Sequence, residues 1–454
     1  GRWSFIGRHP SATLTLIGGE LLVDGDLPDG IRTGDGMLAA LEDLLSHFES
    51  PRIEGMPPLH GGLMGYLGYD VVREVEDLPD TPPDDKGFPD GIMSIIGELV
   101  AIDHWRQRAI LIVNVVVPPE ADDAALDAAY DEAVSRLQDL ATDGARPLDE
   151  PLMEPPSLDD EPPEVTSSMG PELYALAVEA AREHIFAGDI FQVVLSQRFD
   201  VELDAEPFDV YRVLRQLNPS PYMYFLRYAD LSVVGASPEP MVRLLDGRVV
   251  SRPIAGTRRR GRTEADDRRM AAELAEDPKE LAEHVMLVDL ARNDVGRVVE
   301  YGTEVVEEMM TLERYSHVMH LTSQVAGDLA AGCTPIDVLR ATLPAGTVSG
   351  APKVRAMEII DALEPVKRGP YAGVVGYFDF SGNIDTAIAI RTMLVSDGVA
   401  SVQAGAGIVA DSVPELEHLE CQNKARALLS AIPAARRMTA ARRAASEAEG
   451  ESRD

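Results

Sequence analysis

QAGAGIVADSVPELEHLECQNKARA, residues 403–427, is the stretch around which the rest of this 454-residue chain is organised. Its GAG triplet at 405–407 lets the backbone approach a ligand closely, because glycine has no Cβ to block the approach. Ser412 followed by Glu415 is typical of a capping box, and Pro414 is tolerated in the first turn of a helix. The stretch therefore predicts a close-contact segment followed by a helix that begins near Ser412.

The two faces of that helix carry different side chains, since successive residues are rotated by about 100°. One side is an ordinary solvent face with Glu415, His418, Gln422 and Arg426. The opposite side is predicted to point inward and carries Glu417, Glu420 and Lys424. A buried carboxylate without a partner is costly, so two of them require a cation. Lys424 can serve one, and a divalent ion such as Mg²⁺, which prefers oxygen ligands, suits the pair; an exposed stripe of ion pairs is the alternative.

Composition indicates a globular protein of two domains or one large layered unit. The chain is 45% hydrophobic, and its longest apolar run, near 109–117, is too short to span a membrane. Cys333 and Cys421 are the only cysteines, which predicts a reducing, cytoplasmic compartment without disulfides. Because the chain begins at Gly1 without a methionine, we expect an N-terminal piece to be missing.

The net charge of −36 is extreme for a chain of this length. Such a surface argues against binding of nucleic acid or anionic membranes, which both carry the same sign of charge. The apolar content argues against general disorder. We therefore hypothesise an acid-rich surface adapted to molar salt, where screening is nearly complete within a few Å.

Along the chain, the pattern predicts an α+β fold with four regions. Residues 1–145 alternate strand-like runs with turns and contain two amphipathic helical patterns, Gly36–Phe48 and Ala121–Leu140. Residues 146–168 are acidic and proline-rich, which is typical of a linker or long surface loop. Residues 169–432 form the predicted catalytic domain, and 433–454 is an Ala/Arg/Glu-rich tail that is predicted to fray.

Within residues 169–432, a helix is predicted from Pro171 to Ala187, ended by Gly188. Short strand-like runs then follow in close succession, which favours antiparallel sheet over alternating βα units. A second helix, opened by a capping box at 277–280, places Glu283 on one face with Leu287 and Leu290. Either this carboxylate lies among apolar neighbours or it is an exposed glutamate in the first turns. Further on, residues 371–395 predict two long strands with a turn at 381–383.

Taken together, stretches in a fixed order resemble the chorismate-utilising enzymes, most closely the large subunits (component I) of the anthranilate synthases. The resemblance is dense from 171 to 432 and includes GRWSFIG at the start of the chain. It rests on GDIFQVVLSQRF, NPSPYMYFL, GASPE, RPIAGTRRRG, KELAEHVMLVDLARNDVGRV, HVMHLTSQV, PAGTVSGAPK, RGPYAGVVGY and GAGIVADSVPELEHLECQNKA. It implies two stacked, largely antiparallel sheets flanked by helices, with the active site in the cleft between them.

The resemblance also implies roles for individual residues. Glu283 and Glu420 would hold Mg²⁺, with Glu417 at or beside the coordination shell, and the ion would act as a Lewis acid on chorismate. Glu239 matches the general acid for the departing ring hydroxyl, a role that burial favours by keeping a carboxyl protonated. His320 matches the histidine that eliminates pyruvate from the aminated intermediate.

The enolpyruvyl carboxylate of chorismate requires cations and N–H donors. By resemblance, Arg391 grips it bidentately, and Tyr371 and Lys424 add donors. The backbone of Gly405, Ala406 and Gly407 approaches it closely, and the same pocket is lined by Gly256, Thr257 and the catalytic-site residue Thr347. For Arg391 the alternative is a surface arginine at a strand end, and for Tyr371 a packed aromatic residue.

Partners and regulation follow from the same resemblance. Pro221, Tyr222 and Met223 match part of a tryptophan feedback site whose other part lies upstream of the GRWSFIG sequence. The chain carries no glutaminase motif, so a glutamine amidotransferase subunit, component II, is implied as the source of ammonia. The implied reaction is that of a lyase that converts chorismate and ammonia to anthranilate and pyruvate, the first step of tryptophan biosynthesis.

Related reactions are the main alternatives. Relatives that add water, to make isochorismate or salicylate, place a basic lysine where this chain has Gln192. Enzymes that make aminodeoxychorismate for the folate pathway commonly carry a PIKGT motif, whereas this chain has PIAGT with Ala255. A phosphate loop at GAGIV is disfavoured because the helix begins several residues later, and a scaffold without catalysis is disfavoured because the expected positions are filled. The residues favour ammonia as the nucleophile and anthranilate as the product.

Overall fold

Helices and antiparallel strands alternate along the chain. A computed structural model describes residues 1–79, 81–148, 156–157, 160–314 and 318–451. The strands are β1 Trp3–Arg8, β2 Ala12–Ile17, β3 Glu20–Gly25, β4 Gly62–Leu67, β5 Gly91–Ile96, β6 Glu98–Asp103, β7 Arg108–Val113, β8 Thr166–Ser167, β9 Gln192–Glu202, β10 Tyr222–Arg227, β11 Ser232–Ser237, β12 Pro240–Leu245, β13 Arg248–Ser251, β14 Ile254–Arg259, β15 Val305–Arg314, β16 Val318–Asp328, β17 Gly350–Ala351, β18 Val374–Asp379, β19 Ile384–Ile388, β20 Thr392–Ser396 and β21 Val399–Ile408. The helices are α1 Met37–His47, α2 Asp123–Gly144, α3 Pro171–Ala187, α4 Pro207–Leu217, α5 Glu264–Glu276, α6 Pro278–Gly296, α7 Pro335–Thr342, α8 Lys353–Leu363, α9 Pro414–Leu429 and α10 Ile432–Glu451.

The described strands form two large sheets and one small sheet, with antiparallel pairing as the short successive strands predict. The larger sheet has 11 strands in the order β14-β16-β13-β12-β19-β18-β4-β5-β2-β3, with β15 beside β16. The second has seven strands in the order β10-β11-β20-β21-β9-β17, with β8 beside β9. The third, β1-β6-β7, is an addition to the two sheets that the sequence predicts. The expected α+β class is confirmed.

Two neighbouring crossings carry the chain between the large sheets. Glu239 lies in the first, between β11 and β12, and Arg391 lies in the second, between β19 and β20. The crossings are hydrogen-bonded to each other, because the amide of Ala236 donates to the Arg391 carbonyl and the amide of Ile388 donates to the Glu239 carbonyl, each at 3.0 Å. Arg391 has a φ of 50°, which is uncommon for a residue with a Cβ. The second long strand predicted after the turn at 381–383 is therefore divided between two sheets.

The N-terminal region and the predicted catalytic domain share one sheet and one core. Strand β4 pairs with β18 over Gly62–Leu67, which joins the two regions in the larger sheet. One cluster of buried apolar side chains includes Leu14 and Leu63 from the first region and Val242 and Val402 from the second. The expected linker is partly ordered as well, since β8 pairs with β9, although several residues between 149 and 159 lie outside the described part of the chain.

The C-terminal region differs from the expectation of a frayed tail. Residues 432–451 form α10, and Met438 and Thr439 on that helix are buried. The Thr439 hydroxyl donates to the buried Asp209 carboxylate at 2.7 Å, which fixes α10 against α4. The Ala-rich sequence forms a packed helix because its small side chains permit close approach to α4. Among the described residues, no helix combines the length and the apolar character that crossing a membrane requires.

Candidate active site

Glu239 is the most strongly perturbed carboxyl group in the cleft between the sheets. Burial raises its pKa to about 7, while a hydrogen bond from Thr347 and the charge of Lys424 act in the opposite direction. The Thr347 hydroxyl lies in a short 3₁₀ turn, Gly346–Val348, and donates to Glu239 Oε1 at 2.8 Å. A solvent-accessible cavity adjoins both residues and is lined in part by Leu287 and Leu290 of α6. Glu239 therefore holds a proton near neutral pH at the edge of an open space.

Arg391 and Tyr371 lie beside the second crossing, next to strand β21. Burial lowers the pKa of Arg391, and the neighbouring Tyr371 and Glu420 act in the opposite direction. Tyr371 is 7% exposed, and its hydroxyl would lie only 2.8 Å from a Cβ placed on Gly405. Lys424 Nζ donates to the Gly405 carbonyl at 2.7 Å. The structure thus brings an ammonium and a phenol together at Gly405, with the Arg391 guanidinium near the phenol.

The GAG triplet lies inside a strand. Gly405, Ala406 and Gly407 belong to β21 and pair with Ser196, Leu195 and Val194 of β9, respectively. A Cβ on Gly407 would lie 2.5 Å from the Gln192 side-chain nitrogen, so a larger residue would require the Gln192 side chain to move. Gln192 is buried at the start of β9.

His320 on β16 faces strand β14 across a bulge. The register passes from Ala255 to Thr257 with a shift, and Gly256 between them has a φ of 65°. His320 Nδ1 lies 3.2 Å from the Gly256 carbonyl and 3.0 Å from Thr257 Oγ1. Because a carbonyl can only accept, that contact places a proton on Nδ1 and leaves Nε2 as the basic nitrogen. Burial lowers the pKa of His320, which keeps the ring neutral.

Helices α6 and α9 present the three predicted metal ligands. Burial raises the pKa of Glu283, and the charges of Glu280 and Glu420 raise it further. Burial raises the pKa of Glu417 too, with Glu420 again contributing. The carboxylates of two helices therefore repel one another in one region, as expected where a cation would bind. The described residues contain no compact group of three or more His, Cys, Asp or Glu side chains suited to a metal.

Two sequence predictions for α9 are wrong in detail. The N-cap residue is Val413, and no side chain caps the helix. Ser412 Oγ instead accepts from the amide of Val409 at 3.0 Å, so it stabilises the turn before the helix. Glu420 was predicted to point inward, yet 49% of its side chain is exposed and it pairs with Lys424 at 2.8 Å. This position is consistent with both alternatives from the sequence, an exposed ion pair and a carboxylate that faces the cleft as a metal ligand.

The residues predicted for feedback control lie at the start of strand β10. Pro221 precedes the strand, Tyr222 and Met223 begin it, and the Tyr222 hydroxyl donates to Asp385 at 2.8 Å. Tyr222 also pairs with Ser237, two residues before Glu239. This part of β10 is therefore directly connected to the segment that carries the predicted general acid.

Sequence reasoning missed a buried ion pair behind the site. Arg368 and Glu364 are 4% and 5% exposed and lie within hydrogen-bonding distance of each other. Arg368 lies in the RGPYAGVVGY stretch. The resemblance to the family rests partly on this stretch but implies no role for the arginine. The signal available in the sequence is this charged residue, three positions before Tyr371, which is predicted to bind substrate.

These groups are chemically suited to acid–base chemistry on a small anionic molecule. Glu239 can donate a proton at neutral pH, and His320 Nε2 can accept one. Arg391, Lys424 and the backbone of β21 can bind carboxylate oxygens. Such a site combines proton transfer with anion recognition in one cleft.

The comparison with known families agrees with that class of site. Residues 3–430 match the model of the chorismate binding enzymes. The chain is 48% identical over 449 residues to anthranilate synthase component 1 of Pseudomonas putida, covering 97% of this chain and 89% of that protein. It is 45% identical over 435 residues to anthranilate synthase component 1 of Acetivibrio thermocellus, covering 95% and 87%. The chain belongs to the chorismate-binding enzyme family.

Solved structures show the same fold. Anthranilate synthase component I from Streptococcus pneumoniae superposes with a TM-score of 0.82 at 37% identity, covering 94% of this chain and 92% of that chain. The menaquinone-specific isochorismate synthase of Escherichia coli superposes with a TM-score of 0.69 at 18% identity, covering 95% of this chain and 94% of that chain. At that identity the second likeness shows a shared fold only.

Proposed function

We propose that this chain is the large subunit of an anthranilate synthase, a lyase that forms anthranilate and pyruvate from chorismate and ammonia. The observation that supports the proposal is the pair of hydrogen-bonded crossings, because Glu239 and Arg391 lie on neighbouring backbone segments. In this proposal, one crossing carries the proton donor for the ring hydroxyl and the other carries the cation for the enolpyruvyl carboxylate. The relatives named above support the same activity.

The first chemical step is the replacement of the ring hydroxyl. Arg391 and Lys424 orient chorismate through the enolpyruvyl carboxylate, and Tyr371 closes that side of the cleft. Glu239 donates its proton to the departing hydroxyl, which leaves as water. The hydrogen bond from Thr347 stabilises the carboxylate that remains. Ammonia adds to the ring, and the Glu239 carboxylate takes up one of its protons, which gives the neutral amine and restores the acid.

The second step is the elimination of pyruvate. His320 Nε2 is the imidazole nitrogen that does not contact Gly256, and it accepts the proton lost from the substrate ring. The carbon–oxygen bond to the enolpyruvyl group then breaks, and the substrate ring becomes aromatic. The neutral form of His320, which burial favours, is the form that this role requires.

Carboxylate oxygens are the ligands that Mg²⁺ prefers, and Mg²⁺ is commonly held by one or two of them together with substrate. Glu283 and Glu420 would hold the ion, with Glu417 beside them, which suits a region where the charge of Glu420 raises the pKa of both Glu283 and Glu417. When bound, the ion supplies Lewis-acid stabilisation of the charge on the ring carboxylate and leaving group.

The nucleophile is ammonia rather than water. Gln192 is a neutral amide and cannot deprotonate water, and Ala255 offers no amine to attack the ring. The relatives' name, component 1, implies a second component. We propose that this partner is a glutamine amidotransferase subunit, that tryptophan binds near Pro221–Met223 as a feedback inhibitor, and that the reaction opens tryptophan biosynthesis.

Product identification tests the proposal. The purified chain is incubated with chorismate, Mg²⁺ and an ammonium salt, and products are followed by anthranilate fluorescence and pyruvate release. We expect both products in equal amounts and neither isochorismate nor salicylate when ammonium is withheld. Stable aminodeoxychorismate without fluorescent anthranilate would assign the chain to the folate branch instead.

A further inference from the structure

Arg368 connects three separate elements through one buried guanidinium. Its Nη1 donates to the Val348 carbonyl and its Nη2 to the Val194 carbonyl, each at 2.7 Å. Its Nε and Nη2 also donate to the Glu364 carboxylate at 2.9 and 2.6 Å. The guanidinium therefore joins β9, the turn at 346–348 and the end of α8. Only arginine presents such a planar set of donors in fixed directions.

Arg368 also lies next to two residues of the proposed site, Thr347 and Tyr371. Val348 directly follows Thr347, whose hydroxyl donates to Glu239. The guanidinium carbon also lies 5.6 Å from the centre of the Tyr371 ring, within the range of a cation–π contact. One side chain thus contacts both the turn that supports the acid and the aromatic ring that closes the carboxylate side.

The ion pair is itself held by a complete hydrogen-bond network. Glu364 Oε1 accepts from the amide and the hydroxyl of Ser196 at 2.8 and 2.9 Å. The Ser196 hydroxyl in turn accepts from Gln403 at 2.8 Å. A buried ion pair often contributes little net stability compared with well-packed apolar residues, so stability alone explains this one poorly. A fully satisfied network does fix geometry, because each member restricts the others.

We propose that Arg368 is a positioning residue, which holds the Thr347 turn and the Tyr371 ring at the distances that the acid and the substrate carboxylate require. The inference rests on the proposed function. Arg368 acts through Thr347 and Tyr371 and has no contact of its own with Glu239 among the described interactions. Its loss is therefore expected to change how the acid titrates and how substrate binds.

The titration of Glu239 supplies a readout that a purely structural role would not move. Thr347 and Lys424 both favour the carboxylate form, while burial opposes it. Arg252 and Asp294 are the other charged groups that line the adjoining cavity. If the turn loosens, the hydrogen bond from Thr347 is lost and the pKa of Glu239 rises. The acid then stays protonated to higher pH, so the alkaline limb of the kcat/KM profile moves upward.

The experiment compares Arg368→Lys, Thr347→Val and the double variant with the unaltered chain, using ammonium as the nitrogen source. We expect Arg368→Lys to move the alkaline limb to higher pH and to raise the KM for chorismate by about 10-fold, as for other supporting residues around a site. Thr347→Val should move the limb in the same direction. The double variant should show no further movement, since both changes remove the same hydrogen bond.

Arg198→Lys is the matched control. Arg198 is 5% exposed on the same strand, β9, and forms charge pairs with Asp85 and Asp200. Among the described residues, Arg198 makes no hydrogen bond to the Thr347 turn, so its replacement should lower the melting temperature and leave the pH limb in place. If Arg368→Lys fails to fold, Glu364→Gln is measured instead, and the same upward movement is expected.

The outcomes separate this inference from the proposed function. If the unaltered chain makes no anthranilate, the proposed function is wrong. If it makes anthranilate and Arg368→Lys, or Glu364→Gln in its place, retains the alkaline limb of the unaltered chain, Arg368 is not a positioning residue. Additive movement in the double variant would also overturn the inference, because the two residues would then act independently.

Discussion

Glutamates in two regions of the cleft have opposite environments, although Lys424 acts on both. Glu239 lies at a buried crossing between sheets, with a pKa of about 7. Glu420 lies on α9, 49% exposed and paired with Lys424. The first environment favours a protonated acid, and the second leaves the side chain accessible to a cation. The difference in burial thus fits the two different tasks that we propose for one residue type.

The largest expected effect comes from changing the proposed metal ligands, which include the exposed Glu420. Glu420→Gln and Glu283→Gln should each reduce anthranilate formation by about 10⁴-fold, because Lewis-acid stabilisation contributes several kcal/mol and 1.36 kcal/mol is tenfold in rate. Calorimetry should show that Mg²⁺ binding is lost, while the melting temperature of Glu420→Gln hardly changes. Glu415→Gln, an exposed change on the same helix, is the control and should keep full activity. Full activity of Glu420→Gln without Mg²⁺ would refute the metal role.

A somewhat smaller effect is expected at the buried crossing. Glu239→Gln should reduce kcat/KM by about 10³-fold, within the usual range for loss of a general acid. In the unaltered chain kcat/KM should fall as pH rises through about 7, because the acid form of Glu239 is then lost. That limb should be absent from the profile of Glu239→Gln, while Mg²⁺ binding is retained. An unchanged limb in the variant would show that another group titrates there.

A third change separates the two chemical steps. His320→Met should slow pyruvate release by about 10²-fold, the lower end for a missing base, while chorismate is still consumed. Chromatography should then detect an aminated, non-aromatic intermediate. Formation of anthranilate at the unaltered rate would contradict the role of His320 in elimination.

The smallest effect concerns the outer surface rather than the cleft. With a net charge of −36, self-repulsion should destabilise the folded chain in dilute buffer. We expect the melting temperature to rise by several degrees between dilute buffer and molar KCl, as salt screens the repulsion. The limb of the pH profile that Glu239 sets should move little over the same range of salt concentration, because salt screens buried groups less. A flat melting temperature would rule out adaptation to salt.

Much of the local structure was predictable because its determinants are close in sequence. Helix α3 ends at Ala187, and Gly188 adopts the left-handed conformation that glycine favours. Asp277 caps α6, as a residue of that type before a proline predicts. The start of α9 was misplaced by one residue, because the Ser412 hydroxyl bonds backward to Val409.

Other features depend on contacts that a linear pattern does not contain. The break at residues 389–391 follows an unbroken run of strand-like residues, and it exists because β19 and β20 pair with different sheets. The packing of residues 432–451 against α4 likewise requires a partner 230 positions away in sequence, Asp209. Whether such an Ala/Arg/Glu-rich segment is exposed or packed depends on the presence of that partner.

The sequence by itself determined the family and the antiparallel strands, because residue order and local periodicity carry that information, and it predicted the residues of the proposed site. The sequence also shows that positions 192 and 255 carry Gln192 and Ala255 rather than a lysine. Only the tertiary structure showed that Glu239 has a raised pKa and that Glu420 is exposed, since pKa and exposure depend on packing against distant neighbours. It also revealed Arg368 as the connection between the Thr347 turn and Tyr371, because hydrogen bonds between distant segments form only once the sheets have assembled.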